Sequence, residues 1–262
     1  MKKRIPVLAT ILIVLFALSA CKKDDDATGD SSSSATGSFK IVFNNYAGTS
    51  PLNVSGDSTY VNASGESFTV TKFKYYISNI ALVKSDGSLW TLPADYFLID
   101  QSGKTGIKRT LSGIRTGTYT GVRFLIGVDS AKTVQGAQLG DLDPVNGMVW
   151  DWNTGYIFVK LEGKSDAAGT IDSAFAYHIS GYRNSNNTYA LHWVDLSFGS
   201  QPLVVASTGL PELHLKADIL EMFQTPAPLS IADNPIVTAS GNAAVSISNN
   251  YADMFTFDHI QN

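Results

Sequence analysis

Along residues 39–43 the side chains of Phe39, Ile41 and Phe43 alternate with Lys40 and Val42, and along 72–77 Phe73, Tyr75 and Ile77 alternate with Lys72, Lys74 and Tyr76. A period of two is that of a half-buried strand, because successive side chains point to opposite faces. Asp86-Gly87 supplies a hairpin tip after the second run, since glycine accepts the positive φ that tight turns need. Further strands are predicted over 120–126, 156–162, 175–180, 189–196, 203–206 and 213–219, parted by loops such as the Asn- and Ser-rich 182–188. Helix signals are sparse, the best being 250–255, with a short turn over 220–223. Many short strands with turn residues between them predict an all-β fold, an antiparallel β-sandwich with Greek-key-like connections and a short C-terminal helix.

The start of the chain breaks this pattern. Lys2, Lys3 and Arg4 precede an apolar run from Ile5 to Ala20, and Leu18-Ser19-Ala20-Cys21 reads as a lipobox, which makes 1–20 a predicted lipoprotein signal peptide. The run is shorter than the roughly 20 residues that cross a bilayer. Acyl chains on Cys21 would hold the mature protein to a membrane by about 0.8 kcal/mol per buried methylene. Residues 21–37 contain no large apolar side chain and read as the lipidated cysteine and a flexible tether, because they cannot bury enough surface to fold. One sandwich domain over 38–262 follows. The expected location is the cell envelope, at the outer membrane; Lys22-Lys23-Asp24-Asp25-Asp26 resembles the acidic signal that carries some bacterial lipoproteins to the outer surface.

Charge and cysteine content then narrow the chemistry. Loss of the three basic residues of the leader leaves 16 Lys and Arg against 23 Asp and Glu, a net charge of −7. Nucleic acid is a poor partner for so acidic a domain, and a cation a better one. Cys21 is the only cysteine, so its acylation leaves no thiol for disulfides or thiolate metal sites.

The segment Gly147-Met148-Val149-Trp150-Asp151-Trp152 carries the most distinctive residues. In an extended chain Met148, Trp150 and Trp152 share one face. A thioether, with imidazole nearby, suits copper(I), although Met and Trp also fill cores. The histidines are the natural ligand candidates. His178 has the parity opposite to Phe175, Tyr177 and Ile179, and His192 and His214 each sit between apolar neighbours; on separate strands the three have equivalent positions, while His259 stands near the chain end. Each imidazole also has an ordinary role as a solvated or hydrogen-bonded side chain. Calcium is the weaker metal reading: Asp129, Asp141, Asp143 and Asn146 surround a Gly-containing loop, but their spacing is not that of an EF-hand and such residues commonly build turns. No phosphate cradle, nucleophile elbow or HExxH helix is present, so the protein is expected not to be an enzyme.

Several segments together resemble the MbnP-like family of exported copper-binding proteins. They are the Met-x-Trp-x-Trp-Asn-x-Gly-Tyr run from Met148, the Glu162-Gly163 end that follows it, and Phe175-Ala176-Tyr177-His178-Ile179. Earlier pieces are Tyr75-Tyr76-Ile77-Ser78-Asn79-Ile80, Leu98-Ile99-Asp100, Gly117-Thr118-Tyr119, 124–130 and 142–148. The resemblance implies a copper site with a functional histidine at His178. It also implies oxidation of a tryptophan, at Trp150 or Trp152, to kynurenine by a partner dihaem cytochrome related to bacterial peroxidases. An unmodified indole nitrogen only donates hydrogen bonds, so oxidation would create a ligand. Family members usually carry paired cysteines that this mature chain lacks. The alternative function is a surface glycan- or protein-binding sandwich without metal, in which Tyr182, Tyr189 and Trp193 stack on a ligand.

Overall fold

The computed structural model describes residues 35–262 except 94, 104–106, 137, 151–154, 182–189 and 240; the signal peptide, Cys21, the tether before residue 35 and Trp152 lie outside these. The first strand, β1 (Thr36–Ala47), is followed by β2 (Ser50–Pro51), β3 (Thr59–Val61), the long β4 (Ser67–Lys84), β5 (Leu89–Thr91) and β6 (Tyr96–Asp100). Then come β7 (Lys108–Arg115), β8 (Gly117–Ile126), the short helix α1 (Ser130–Thr133), β9 (Val159–Lys164), β10 (Ala174–Ile179) and β11 (His192–Ser197). The C-terminal part holds β12 (Leu203–Val205), β13 (Glu212–Asp218), β14 (Ile236–Val237), the helix α2 (Asn242–Tyr251) and β15 (Phe255–Gln261).

Among the described residues these strands make two sheets. The smaller runs β15-β13-β1-β2, with β7 also on β1, and the larger runs β11-β8-β4-β9-β10-β14, with β12 on β8 and β3, β5 and β6 on β4. Strand β4 organises the larger sheet. One of its edges takes β9 along Thr69–Tyr75 and β8 along Ile77–Lys84, and the other takes β3, β6 and β5. The register with β8 shifts between Ser78 and Ala81, where Asn79 has φ 53°. That left-handed turn is costly for a residue with a Cβ, and Asn tolerates it better than most; here the Asn79 amide donates to Asp129 Oδ2 at 2.8 Å.

The sequence alternation survives as burial. Phe39, Ile41, Phe43, Phe73, Tyr75 and Ile77 are all essentially inaccessible. The two sheets interlock through T-shaped ring contacts: Phe43 on Phe124 at 6.4 Å, Phe255 on Phe124 at 5.1 Å, and Phe255 on Tyr75 at 5.6 Å between centroids. Edge-to-face packing of this kind adds to the free energy of area burial.

The expected β-sandwich with a short C-terminal helix is the fold observed; its pairings are mainly antiparallel, while β1 with β13 and β10 with β14 run parallel and join distant segments that no local pattern links. Two element boundaries need correction. The C-terminal helix is α2 rather than 250–255. Its buried Ala244, Ile247, Ser248 and Tyr251 recur at helical spacing, whereas Phe255 opens a strand whose partner is β13. Finally, residues 156–158 stand outside β9, which begins at Val159; Tyr156 instead forms an isolated bridge with Val149.

Candidate functional site

Outward-facing positions on β4, β9 and β10 form one row on the larger sheet. Lys72 pairs with Glu162 and Lys74 with Lys160 across β4 and β9, and His178 pairs with Lys160 across β9 and β10. Because parity is conserved across a sheet, these side chains share the face opposite to Phe73, Tyr75 and Tyr177. The row is tied together at short range. Glu162 Oε1 is 2.8 Å from His178 Nε2, and Lys72 Nζ is 2.8 Å from Glu162 Oε2. The hydrogen bond from His178, assisted by Lys72, holds the Glu162 carboxyl down at about 2 despite its partial burial.

The tryptophan segment arrives at the end of this row. Val149 bridges Tyr156 and Ile157 N–H donates to Met148 C=O at 2.8 Å, so 148–150 and 155–157 form a short antiparallel ribbon. Trp150 Nε1–H donates to Ser180 Oγ at 3.0 Å, and its ring lies 6.0 Å from that of His178, tilted by 50°. Met148 is sealed in the core with no exposure. The approach to this ribbon is pinned by side chains. Lys74 Nζ donates to Asn146 C=O at 3.2 Å, Lys160 Nζ donates to Gly147 C=O, and Tyr76 and Tyr156 hydroxyls donate to Asp141 and Leu142 carbonyls at 2.8 and 3.0 Å.

Of the residues singled out in the sequence, the structure therefore brings Trp150 and His178 together, with Met148 buried at the start of the same ribbon. Trp152 falls outside the described residues. His192 pairs with Ile126, which pairs with Ile77, so its parity is that of the core and not of His178; its ring meets Tyr251 edge-on at 5.7 Å. His214 stands in the other sheet. Its Nδ1 is 3.2 Å from the Asn44 amide, and its ring stacks on His259 at 4.2 Å and 11°, so the chain-end histidine has a partner that its position in the sequence does not reveal. Among the described residues no group of three or more His, Cys, Asp or Glu side chains is arranged to hold a metal ion.

The aspartates of the calcium reading are occupied by protein donors. Asp129 accepts from Asn79 and Tyr96, both at 2.8 Å, Asp141 from Arg109 and Leu98 N–H, and Asp143 from Val145 N–H at 2.9 Å. Asp143 fixes a local turn, whereas Asp129 and Asp141 tie their loops to β4, β6 and β7. For the stacking-platform reading, Trp193 is 54% exposed, with the Arg123 guanidinium 5.9 Å from its ring centroid; Tyr182 and Tyr189 lie outside the described residues.

Neither Lys72 nor Ser180 stands out in the sequence as a site residue, and Glu162 stands there only as a strand end. Their relevance depends on strand register, which residue spacing does not encode. The ion pairs give a pH expectation. Lys108 and Lys40 also hold Glu212, on β13, at about 2. A carboxyl whose folded value is depressed stabilises the fold above its ordinary value, here 4.5, and that contribution is lost as pH falls through about 2. The thermal midpoint is therefore expected to drop between about pH 5 and pH 2, and less steeply in a Glu162→Gln, Glu212→Gln double variant. An equal drop in that variant would assign acid sensitivity to other carboxyls.

No curated protein matches the sequence. Among solved structures the chain is similar to MbnP from Methylosinus trichosporium, at 15% identity and a TM-score of 0.50, covering 80% of this chain and 82% of that one. At that identity the likeness shows a shared fold. A model of the MbnP family matches residues 36–241, a span that contains the whole row from Lys72 to His178 and the tryptophan ribbon, and the chain belongs to the MbnP family.

Proposed function

We propose that this protein is a lipid-anchored, extracytoplasmic copper-binding protein, a binder rather than a catalyst, with His178 as its imidazole ligand. The observation that carries this reading is the pairing of His178 with Trp150 at 6.0 Å, beside a carboxylate 2.8 Å from the imidazole. Imidazole is a good donor for copper, and metal-binding histidines commonly give their second ring nitrogen to a carboxylate. Membership of the MbnP family supports the same chemistry. The described residues fit copper as one firm ligand with an aromatic neighbour and not as a complete cage.

Oxidation of that neighbour would supply what is missing. Conversion of Trp150 to kynurenine exchanges a ring carbon for an oxygen and turns a donor-only indole nitrogen into an aryl amine with a lone pair. With hydrogen peroxide as oxidant, a partner dihaem cytochrome would pass four electrons from the indole to two peroxides while the C2–C3 bond breaks, C2 leaves as formate and one water is released; Trp152 is the other tryptophan for which the family resemblance implies this change. Cys21 would provide the membrane anchor.

The test is mass spectrometry of the intact and trypsin-digested protein from its native host, with copper analysis of the same sample. A carbon-for-oxygen exchange at Trp150 or Trp152, and stoichiometric copper that disappears in His178→Ala, are the expected results. Unmodified tryptophans and no copper would overturn the reading. Ligand capture unchanged by chelator would then favour the glycan- or protein-binding alternative, with Trp193 as the exposed aromatic.

A further inference from the structure

The row Lys72, Glu162, His178 spans three adjacent strands, and each oxygen of Glu162 has one partner. Oε2 lies 2.8 Å from the Lys72 ammonium and Oε1 lies 2.8 Å from His178 Nε2. We propose that Glu162 is a positioning residue which, held in place by the Lys72 ammonium, accepts from His178 Nε2–H and so leaves Nδ1 as the nitrogen available to a metal ion. This rests on the copper reading given above and deepens it.

Donor and acceptor capacity decides which ring nitrogen carries the proton. An ionised carboxylate only accepts, and a bare imidazole nitrogen only accepts, so at 2.8 Å the two would repel. Nε2 therefore carries the proton. A neutral imidazole has a single N–H, which puts its lone pair on Nδ1; among the described residues Nδ1 has no hydrogen-bond partner. The ring is also oriented. The carboxylate fixes one edge, Trp150 packs at a 50° tilt, and the strand pairing of His178 with Lys160 sets the backbone beneath it. Carboxylate support of this kind makes an imidazole a stronger and better-aimed ligand. A purely structural ion pair would need Lys72 and Glu162 alone. Here the carboxylate divides between an ammonium and an imidazole, and His178 is 19% exposed at its side chain, accessible to a small ion yet not free to rotate in solvent.

The experiment reads the tautomer directly in metal-free protein, from the imidazole nitrogen chemical shifts of His178 at a pH well above the ordinary imidazole value of about 6.5. The wild type should show the Nε2–H form alone. Glu162→Ala should give a mixture of both tautomers, while Glu162→Gln, which keeps a carbonyl acceptor, should retain most of the lock, and Lys72→Met should weaken it. In copper titrations Glu162→Ala should bind about 10–100-fold more weakly at unchanged stoichiometry. An Nδ1–H tautomer in the wild type, or a tautomer and affinity unmoved by Glu162→Ala, would overturn the proposal. A locked tautomer in a protein that takes up no copper would uphold the Lys72–Glu162–His178 lock and sink the copper reading instead.

Discussion

Replacing Phe255 with alanine is expected to lower the free energy of unfolding by about 3–5 kcal/mol, the range for large-to-small changes at buried aromatic sites. Phe255 opens β15 and is 4% exposed. Its ring meets Phe43 at 6.3 Å, Tyr75 at 5.6 Å and Phe124 at 5.1 Å, so one truncation removes a contact partner from β1, β4 and β8 together. The surrounding rings are held by strands in both sheets and cannot collapse into the vacated space, which puts the loss toward the upper part of the range. Denaturant unfolding should show a lower midpoint at nearly constant slope. A loss of less than about 1 kcal/mol would mean that the Phe255 ring is not packed between the two sheets as described.

Gly163→Ala should be nearly as damaging, at roughly 3 kcal/mol, for the opposite reason of overpacking. A Cβ at this position would lie 1.9 Å from Thr69 C=O and 2.7 Å from Phe175 Cε1. The first of these is backbone and cannot swing aside. Strands β4, β9 and β10 would have to move apart at the residue next to Glu162, so the substitution should also disturb the His178 hydrogen bond. The check is a pair of measurements on one sample, the unfolding midpoint and the His178 imidazole shifts. Wild-type values for both would show that the strands are not so close at Gly163.

Much of the architecture is legible in local pattern. The alternations at 39–43 and 72–77 lie in β1 and β4 with the expected face inward, and His178 has the outward parity that its spacing from Tyr177 and Ile179 implies. The short turn expected over 220–223 falls within a helical turn at Ile219–Phe223. What could not be read is pairing between distant segments. Glu162 meets His178 only because β9 and β10 are antiparallel with Lys160 opposite His178. Lys72 joins them through a contact with Glu162 that spans 90 positions of sequence. The same limit explains His259, whose partner His214 becomes adjacent when β15 returns alongside β13. At the C-terminus two periodicities compete within a few residues. The helical spacing ends at Tyr251, and the two-residue spacing of Phe255 and Phe257 begins almost at once, so a window centred on 250–255 blends them.

Strand β4 carries both faces of the molecule on consecutive residues, with Phe73 and Tyr75 inward in the aromatic core and Lys72 and Lys74 outward in the charged row. The conformational entropy of ordering that row is therefore already spent when the core forms. A ligand captured at His178 would meet side chains on three hydrogen-bonded strands, and little further freedom would be lost on binding. Capture should then show a small entropic penalty and a dissociation rate, rather than a slow ordering step, as the main determinant of affinity.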